Sequence, residues 1–260
     1  FRLGVQIISK LGYSKDNLLS NNVIVPIAHF LYKNQMSDKI LHSNQYKDDL
    51  SAIREWLARV SLKGTFSSTT DSIYPGMRTI INDNIGHFPL KEIINHYKGH
   101  SKSISFSSDD IETVLDLQYG KPKTYCALTL LYPGLNQNFR YQQDHIHPKT
   151  FFEKRKLKKL DLVEQQVTEF IERVNDLSNL QLLEKTENSE KSATSLHEWV
   201  ETKYSTPAAK GSYLMQNHIK VDQSLIFEDF IDFYKNRREL LRKELMRILN
   251  VTSSKVAETE

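Results

Sequence analysis

The chain has 260 residues, 39% hydrophobic and 26% charged, enough to bury a sizeable core in one large domain or two small ones. Nine Gly and seven Pro, about 6% together against a usual total of roughly 12%, argue against turn-dense sandwiches and barrels and for a mainly α fold. A net charge of +3 says nothing by itself about nucleic acid, and the lone Cys126 excludes an intramolecular disulfide framework or a multi-Cys zinc site and fits a reducing, cytoplasmic compartment. No apolar run approaches the roughly 18 residues of a membrane span, so no membrane partner is expected. Phe1-Arg2-Leu3-Gly4 has no signal-peptide organisation, and a start without Met reads as a piece cut from a longer polypeptide.

Residues 1–135 read as a helical subdomain. Apolar spacing places helices over 3–11, 23–32, 50–60, 77–81, 90–97, 111–117 and 125–132. The clearest carries Leu50, Ile53, Leu57 and Val60 behind Asp48 and Asp49, whose charge suits a helix N-terminus; its Arg54, Arg59 and Lys63 read as a solvated face. Ser107 and Asp110 fit a capping box, and Pro133-Gly134 closes this part without any fixed-period repeat.

Beyond it, 139–143 alternates apolar and polar residues as a half-buried strand does and leads into Asp144-His145-Ile146-His147-Pro148. A second strand is expected over 179–183. Between them Val163, Val167, Phe170, Ile171 and Val174 mark an inserted helix over 161–175, ended by a turn at Asn175 and Asp176. Phe230, Tyr234, Leu241, Leu245 and Ile248 mark one long helix over 227–249. Its basic side, Lys235, Arg237, Arg238, Arg242, Lys243 and Arg247, reads as exposed surface ahead of a DNA groove. The polar tail 251–260 is expected to be disordered.

Chemistry concentrates at Asp144-His145, Asn179 and Asn188. A carboxylate beside an imidazole at a strand end can hold a hard divalent ion while the imidazole faces a phosphodiester. Asp144 and the amide oxygen of Asn188 suit Mg²⁺, with Mn²⁺ as a substitute, leaving positions for water and phosphate oxygens. Neutral His145 would deprotonate the attacking water, Asn179 would orient the His-bearing loop through its amide, and Pro148 would stiffen the exit. His147 either reaches the metal or phosphate as a further ligand or faces away along the strand.

Asp144-His145-Ile146-x-Pro148, then Asn179 opening Asn-Leu-x-Leu-Leu, then Asn188 nine residues on, resembles the HNH or His-Me finger nuclease motif. More narrowly, 177–183, 188–192 and the helical lead-in resemble the C-terminal HNH domain of GmrSD-type restriction proteins and the related phosphorothioation-sensing SspE nucleases. The resemblance implies a ββα-metal core. Asp144 and Asn188 would be metal ligands and His145 the base; Asn179 would orient the loop, and a helix would start near Asn188 and run towards Trp199. It also implies an N-terminal ParB-like nucleotide-hydrolysing domain with an Asp-Gly-Gln-Gln-Arg signature, absent here. The match covers about 139–200 and departs from compact HNH motifs in the long step from His145 to Asn179, which an inserted helix explains.

The expected organisation is therefore a mainly α chain with an embedded ββα-metal motif. A helical subdomain occupies 1–135, the nuclease core with its inserted helix 136–202, and a C-terminal helical segment 203–250. Lys154, Arg155, Lys156, Lys158 and Lys159 form a basic run beside the proposed base, either a solvated face or a contact to DNA phosphates, and Lys149 and Lys191 would bracket the scissile phosphate. The expected function is metal-dependent nicking of DNA with little sequence specificity, as the effector of a restriction or anti-phage defence protein. The alternative is a catalytically silent DNA-binding or partner-docking module of the same fold. A structural zinc domain is weaker, because Cys126 lies far from the histidine pair.

Overall fold

In the computed structural model the described residues are 1–67, 70–135 and 139–252, and among them are thirteen α-helices and one two-stranded sheet. The chain is thus mainly helical. The first half contains α1 (Arg2–Lys10), α2 (Ile24–Lys33), α3 (Lys47–Lys63), α4 (Tyr74–Asp83), α5 (Leu90–His96), α6 (Ser108–Leu115) and α7 (Pro122–Leu131). Asp48 and Asp49 lie in the first turn of α3, and Gly64, at φ +66°, ends it in the left-handed conformation that favours glycine. The capping box before α6 is present: Asp110 N–H donates to Ser107 Oγ at 3.2 Å, and Ser107 N–H to Asp110 Oδ2 at 2.8 Å. Proline opens α4 and α7, where its missing N–H costs no helical hydrogen bond.

Helix α3 runs through the middle of this half, with Ile53, Trp56 and Leu57 fully buried. Removing side chains of this size from water stabilises the fold by roughly 1.5–3 kcal/mol each. Its surroundings correct one expectation: Arg59 is buried, not solvated. Its guanidinium donates to Glu55 Oε1 at 2.8 Å and to the carbonyls of Ile104 and Ile248, because other segments pack against both sides of the helix.

The second half begins with β1 (Tyr141–His145), followed by α8 (Lys154–Leu157), α9 (Glu164–Arg173), β2 (Leu180–Glu184) and α10 (Lys185–Lys191). The strands pair antiparallel, from Tyr141 opposite Glu184 to His145 opposite Leu180. β1 begins two residues later than the alternation predicts and extends through His145, while Asn179 lies just outside β2. The helix expected from Asn188 to Trp199 is two helices. α10 starts earlier and stops at Lys191, where Ser192 has φ +46°; α11 (Leu196–Lys203) then starts afresh, with Glu198 N–H donating to Ser195 Oγ. α12 (Pro207–Gln216) and α13 (Phe230–Ile248) complete the fold. Of the tail expected to be disordered, 253–260 lies outside the described residues, as does the expected boundary at 136.

Two hydrophobic cores result. The first gathers α1–α7, Leu180 and Leu182 of β2, and Leu241 and Leu245 of α13. The second gathers Ile146, Phe152, Phe170, Trp199, and Phe230 and Phe233 of α13. The hairpin therefore sits at a seam, with α13 serving both sides. Among the described residues no helix is long and apolar enough to cross a membrane.

Candidate active site

His145 ends β1 and is buried, with its ring against that of Tyr119 at a centroid separation of 4.4 Å. Its Nε2 lies 3.0 Å from Asn175 Oδ1. A carboxamide oxygen accepts, so Nε2 carries the proton and Nδ1 keeps its lone pair. Burial lowers the imidazole pKa, opposed by the Asn175 bond and Asp144, so the ring is neutral near pH 7. Asn175 is itself anchored, because its carbonyl accepts from Tyr119 N–H at 2.8 Å.

Asn179 is fully buried and holds the turn after β1. Its Oδ1 accepts from His147 N–H at 3.0 Å, while its Nδ2 donates to the His147 carbonyl at 3.2 Å and the Val174 carbonyl at 2.9 Å. Its own carbonyl accepts from Ile146 N–H at 2.8 Å. One asparagine thus bonds both backbone groups of His147 and fixes the exit of β1 to the entry of β2.

Asp144 points to the other face of the hairpin. Its Oδ2 accepts from Gln181 Nε2 at 2.8 Å and from Lys191 Nζ at 2.9 Å. Lys191 is completely buried and also donates to the His145 carbonyl at 2.6 Å. The expectation that Lys191 meets DNA is corrected: it ends α10 beneath the hairpin, where a carboxylate and a carbonyl satisfy its charge. Asn188, one turn earlier, is half-buried and donates through Nδ2 to Gln142 Oε1 at 3.0 Å, leaving its Oδ1 outside that bond.

His147 resolves the open choice by facing away. Successive strand residues point to opposite faces, but here the chain has already left β1, and the ring is enclosed by Phe227, Phe230 and Phe233, the last at 4.6 Å. It is no ligand in this arrangement. Lys149, Lys154, Arg155, Lys158 and Lys159 are exposed on a short 3₁₀ turn, on α8 and just beyond it, and Lys156 lays its ammonium over the Phe151 ring at 5.3 Å. Among the described residues none of these six cations forms an ion pair with a carboxylate, which leaves them available to an external polyanion.

Asn175, read only as a turn residue, is the His145 partner, and three further residues escaped sequence reasoning. Gln181 is a polar residue inside an otherwise apolar strand, a signal readable in Asn-Leu-Gln-Leu-Leu, and it sits directly opposite Asp144. Tyr119 carries no such signal. Arg237, assigned to the exposed side of the last helix, is fully buried: it donates to the carbonyls of Leu177 and Ser178, immediately before Asn179, and to the Asn217 carbonyl and the Tyr132 hydroxyl. Arg238 and Arg242 on the same helix bind Glu112 of α6, whereas Lys235, Lys243 and Arg247 are exposed as expected.

Among the described residues no group of three or more His, Cys, Asp or Glu side chains is arranged to hold a metal ion, so any ion bound here would rely on one carboxylate and amide oxygens. No protein-family model matches the chain, and comparison with curated proteins finds no match.

Proposed function

We propose that the chain is a metal-dependent DNA endonuclease domain of the His-Me finger kind that nicks phosphodiester bonds with little sequence specificity. It would be the effector part of a larger restriction or anti-phage defence protein with a ParB-like sensor domain. One observation carries the reading. Asp144 and His145 close β1 against a strand that leads directly into the helix bearing Asn188, and the Asn179 carboxamide bonds both backbone groups of His147.

Asp144 Oδ1 and Asn188 Oδ1 lie outside the bonds to Gln181, Lys191 and Gln142, and as oxygen donors they would suit a hard divalent cation, Mg²⁺ or Mn²⁺. Bound there, such an ion would neutralise charge on the phosphoryl and leaving oxygens. His145 takes the proton of the attacking water at Nδ1, and low basicity keeps it ready to accept at neutral pH. Asn175 and Tyr119 hold the ring, and Asn179 holds the backbone that carries it. The cations of 149–159 position the duplex through its phosphates without reading bases. The products are a 5′-phosphate and a 3′-hydroxyl.

A silent module of the same fold has one observation in its favour: the Asp144 carboxylate is already matched by a buried ammonium. Relaxation of supercoiled plasmid by the wild type and His145→Ala, each with EDTA, Mg²⁺ or Mn²⁺, separates the readings. Metal-dependent nicking lost in the variant supports the nuclease. A folded wild type that binds DNA but never nicks it, even when joined to its sensor domain, supports the silent module.

A further inference from the structure

We propose that the cleft between the end of α1 and the start of α3 is a binding site for the phosphate of a nucleotide. The cleft has a volume of about 290 Å³, and Lys10, Lys47 and Arg54 line it with Ser43, Asn44 and Ser51; among the described residues no carboxylate belongs to its wall. Asp38 borders the neighbouring hollow that shares His42 and Ser43, and two other acids nearby are committed elsewhere. Asp49 accepts from Phe88 N–H at 2.8 Å, and Glu55 pairs with Arg59. Asp48 is exposed outside the cleft.

Among the described residues none of the three cations forms an ion pair with a carboxylate, whereas Arg59, Arg173, Arg238, Arg242 and Arg247 each hold one. Arg54 donates Nη1 to the Pro133 carbonyl at 2.7 Å, which leaves most of its five N–H donors for a ligand. Burial holds its guanidinium below the ordinary arginine pKa, opposed in part by Tyr13 and Glu55, and an anion in the cleft would offset that desolvation. Three like charges around one hollow repel one another, and a phosphate removes that repulsion while accepting hydrogen bonds.

The remainder of the ligand is indicated by what adjoins the cleft. Lys10, Leu11 and Arg54 continue into a second hollow walled by Phe139 and Tyr141 at the mouth of β1. Phe139 is 52% exposed and presents a ring on which a base can stack. Cations followed by an exposed aromatic ring select a nucleotide over inorganic phosphate, whether the nucleotide is free or belongs to a single strand.

Isothermal titration of the full chain tests this with inorganic pyrophosphate, ATP and a single-stranded oligothymidylate as probes. EDTA is present throughout, so no cleavage occurs and the outcome does not depend on the roles given to Asp144 and His145. ATP or the oligothymidylate is expected to bind more tightly than pyrophosphate, and the source is the one whose binding is weakened by Lys47→Glu, since an oligonucleotide also meets the cations of 149–159. Lys47→Glu, a substitution at an exposed position, is expected to weaken that binding by about tenfold or more, whereas Lys91→Glu on α5, outside the cleft wall, leaves it unchanged. Arg54→Gln should weaken it likewise; because Arg54 is half-buried and its variant can misfold, Lys47 decides. No binding of any probe by the wild type at about 5 mM overturns the site, as does Lys47→Glu binding every probe as the wild type does. Pyrophosphate binding as tightly as both nucleotide probes overturns the nucleotide assignment.

Discussion

Replacing His147 by Leu should make the protein resist acid. The imidazole is fully buried among three phenylalanine rings, and among the described residues its Nε2 has no hydrogen-bond partner. Burial first, then the positive charges of Lys191 and Arg237, lower its pKa from 6.5 to about 3. Above pH 6.5 both the folded and the unfolded chain keep this group neutral, and it does not affect the pH dependence. As pH falls below 6.5 the unfolded chain takes up a proton that the folded chain refuses, so stability drops by about 1.4 kcal/mol per pH unit until the folded group titrates near pH 3. Between pH 7.5 and 5.0 the loss is therefore about 2 kcal/mol. Leu is apolar, close in volume and cannot titrate, and it leaves the backbone bonds to Asn179 in place. Urea unfolding of both proteins at the two pH values gives the difference of differences, in which the low pKa values of His145 and His218 are common and cancel. Parallel loss of stability in wild type and variant, within about 0.5 kcal/mol, would refute the argument.

Asn175→Asp places a carboxylate on the His145 Nε2–H in place of a neutral oxygen, which raises the imidazole pKa. The acid limb of the cleavage profile and the NMR titration of His145 should both move up by about one pH unit; a stationary titration would remove Asn175 as the partner. Lys191→Met removes the internal cation from Asp144, so Mn²⁺ should bind about tenfold more tightly by calorimetry, and an unchanged affinity would show that Lys191 does not compete for that carboxylate. Neutralising Lys154, Arg155 and Lys156 together should weaken binding to all DNA sequences alike and flatten the salt slope by up to about 3. An unaltered slope returns the run to a solvated face.

Part of the local pattern was legible in the sequence, although the Ser195 and Thr206 caps that start α11 and α12 were not read. Asp48 and Asp49 mark the start of α3, Ser107 and Asp110 cap α6, and the two strands can be placed to within two residues. Asn179 at the entry of the second strand was read as a residue that would orient the His-bearing loop, and its amide bonds both backbone groups of His147. What else escaped depends on register and on distant packing. Gln181 reaches Asp144 only because Asp144 pairs with residue 181 rather than with a neighbour, and alternation within one strand does not fix that pairing. Lys191 looks like any helix-terminal lysine until the hairpin is seen to cover it. Arg59 and Arg237 bind carbonyls of segments tens of residues away, so their burial is a property of how helices cross, not of their own periodicity.

The same distant packing explains why the candidate site has a defined geometry on a sheet of only two strands, which would be marginal alone in water. Leu180 and Leu182 commit β2 to the first core, while Ile146, immediately after His145, enters the second. Helix α13 joins both cores. From it Arg237 fixes the carbonyls of Leu177 and Ser178, and the Tyr234 hydroxyl donates to Asp176 Oδ2 at 2.8 Å, so the approach to Asn179 is tied down residue by residue. Asn179 then transmits that position to the backbone of His147, and β1 inherits it at His145 and Asp144. Among the described residues the buried guanidinium makes no ion pair. Its contribution is to orient carbonyls that would otherwise be left unsatisfied beneath the hairpin, which makes the frame of the site a product of the whole helical body.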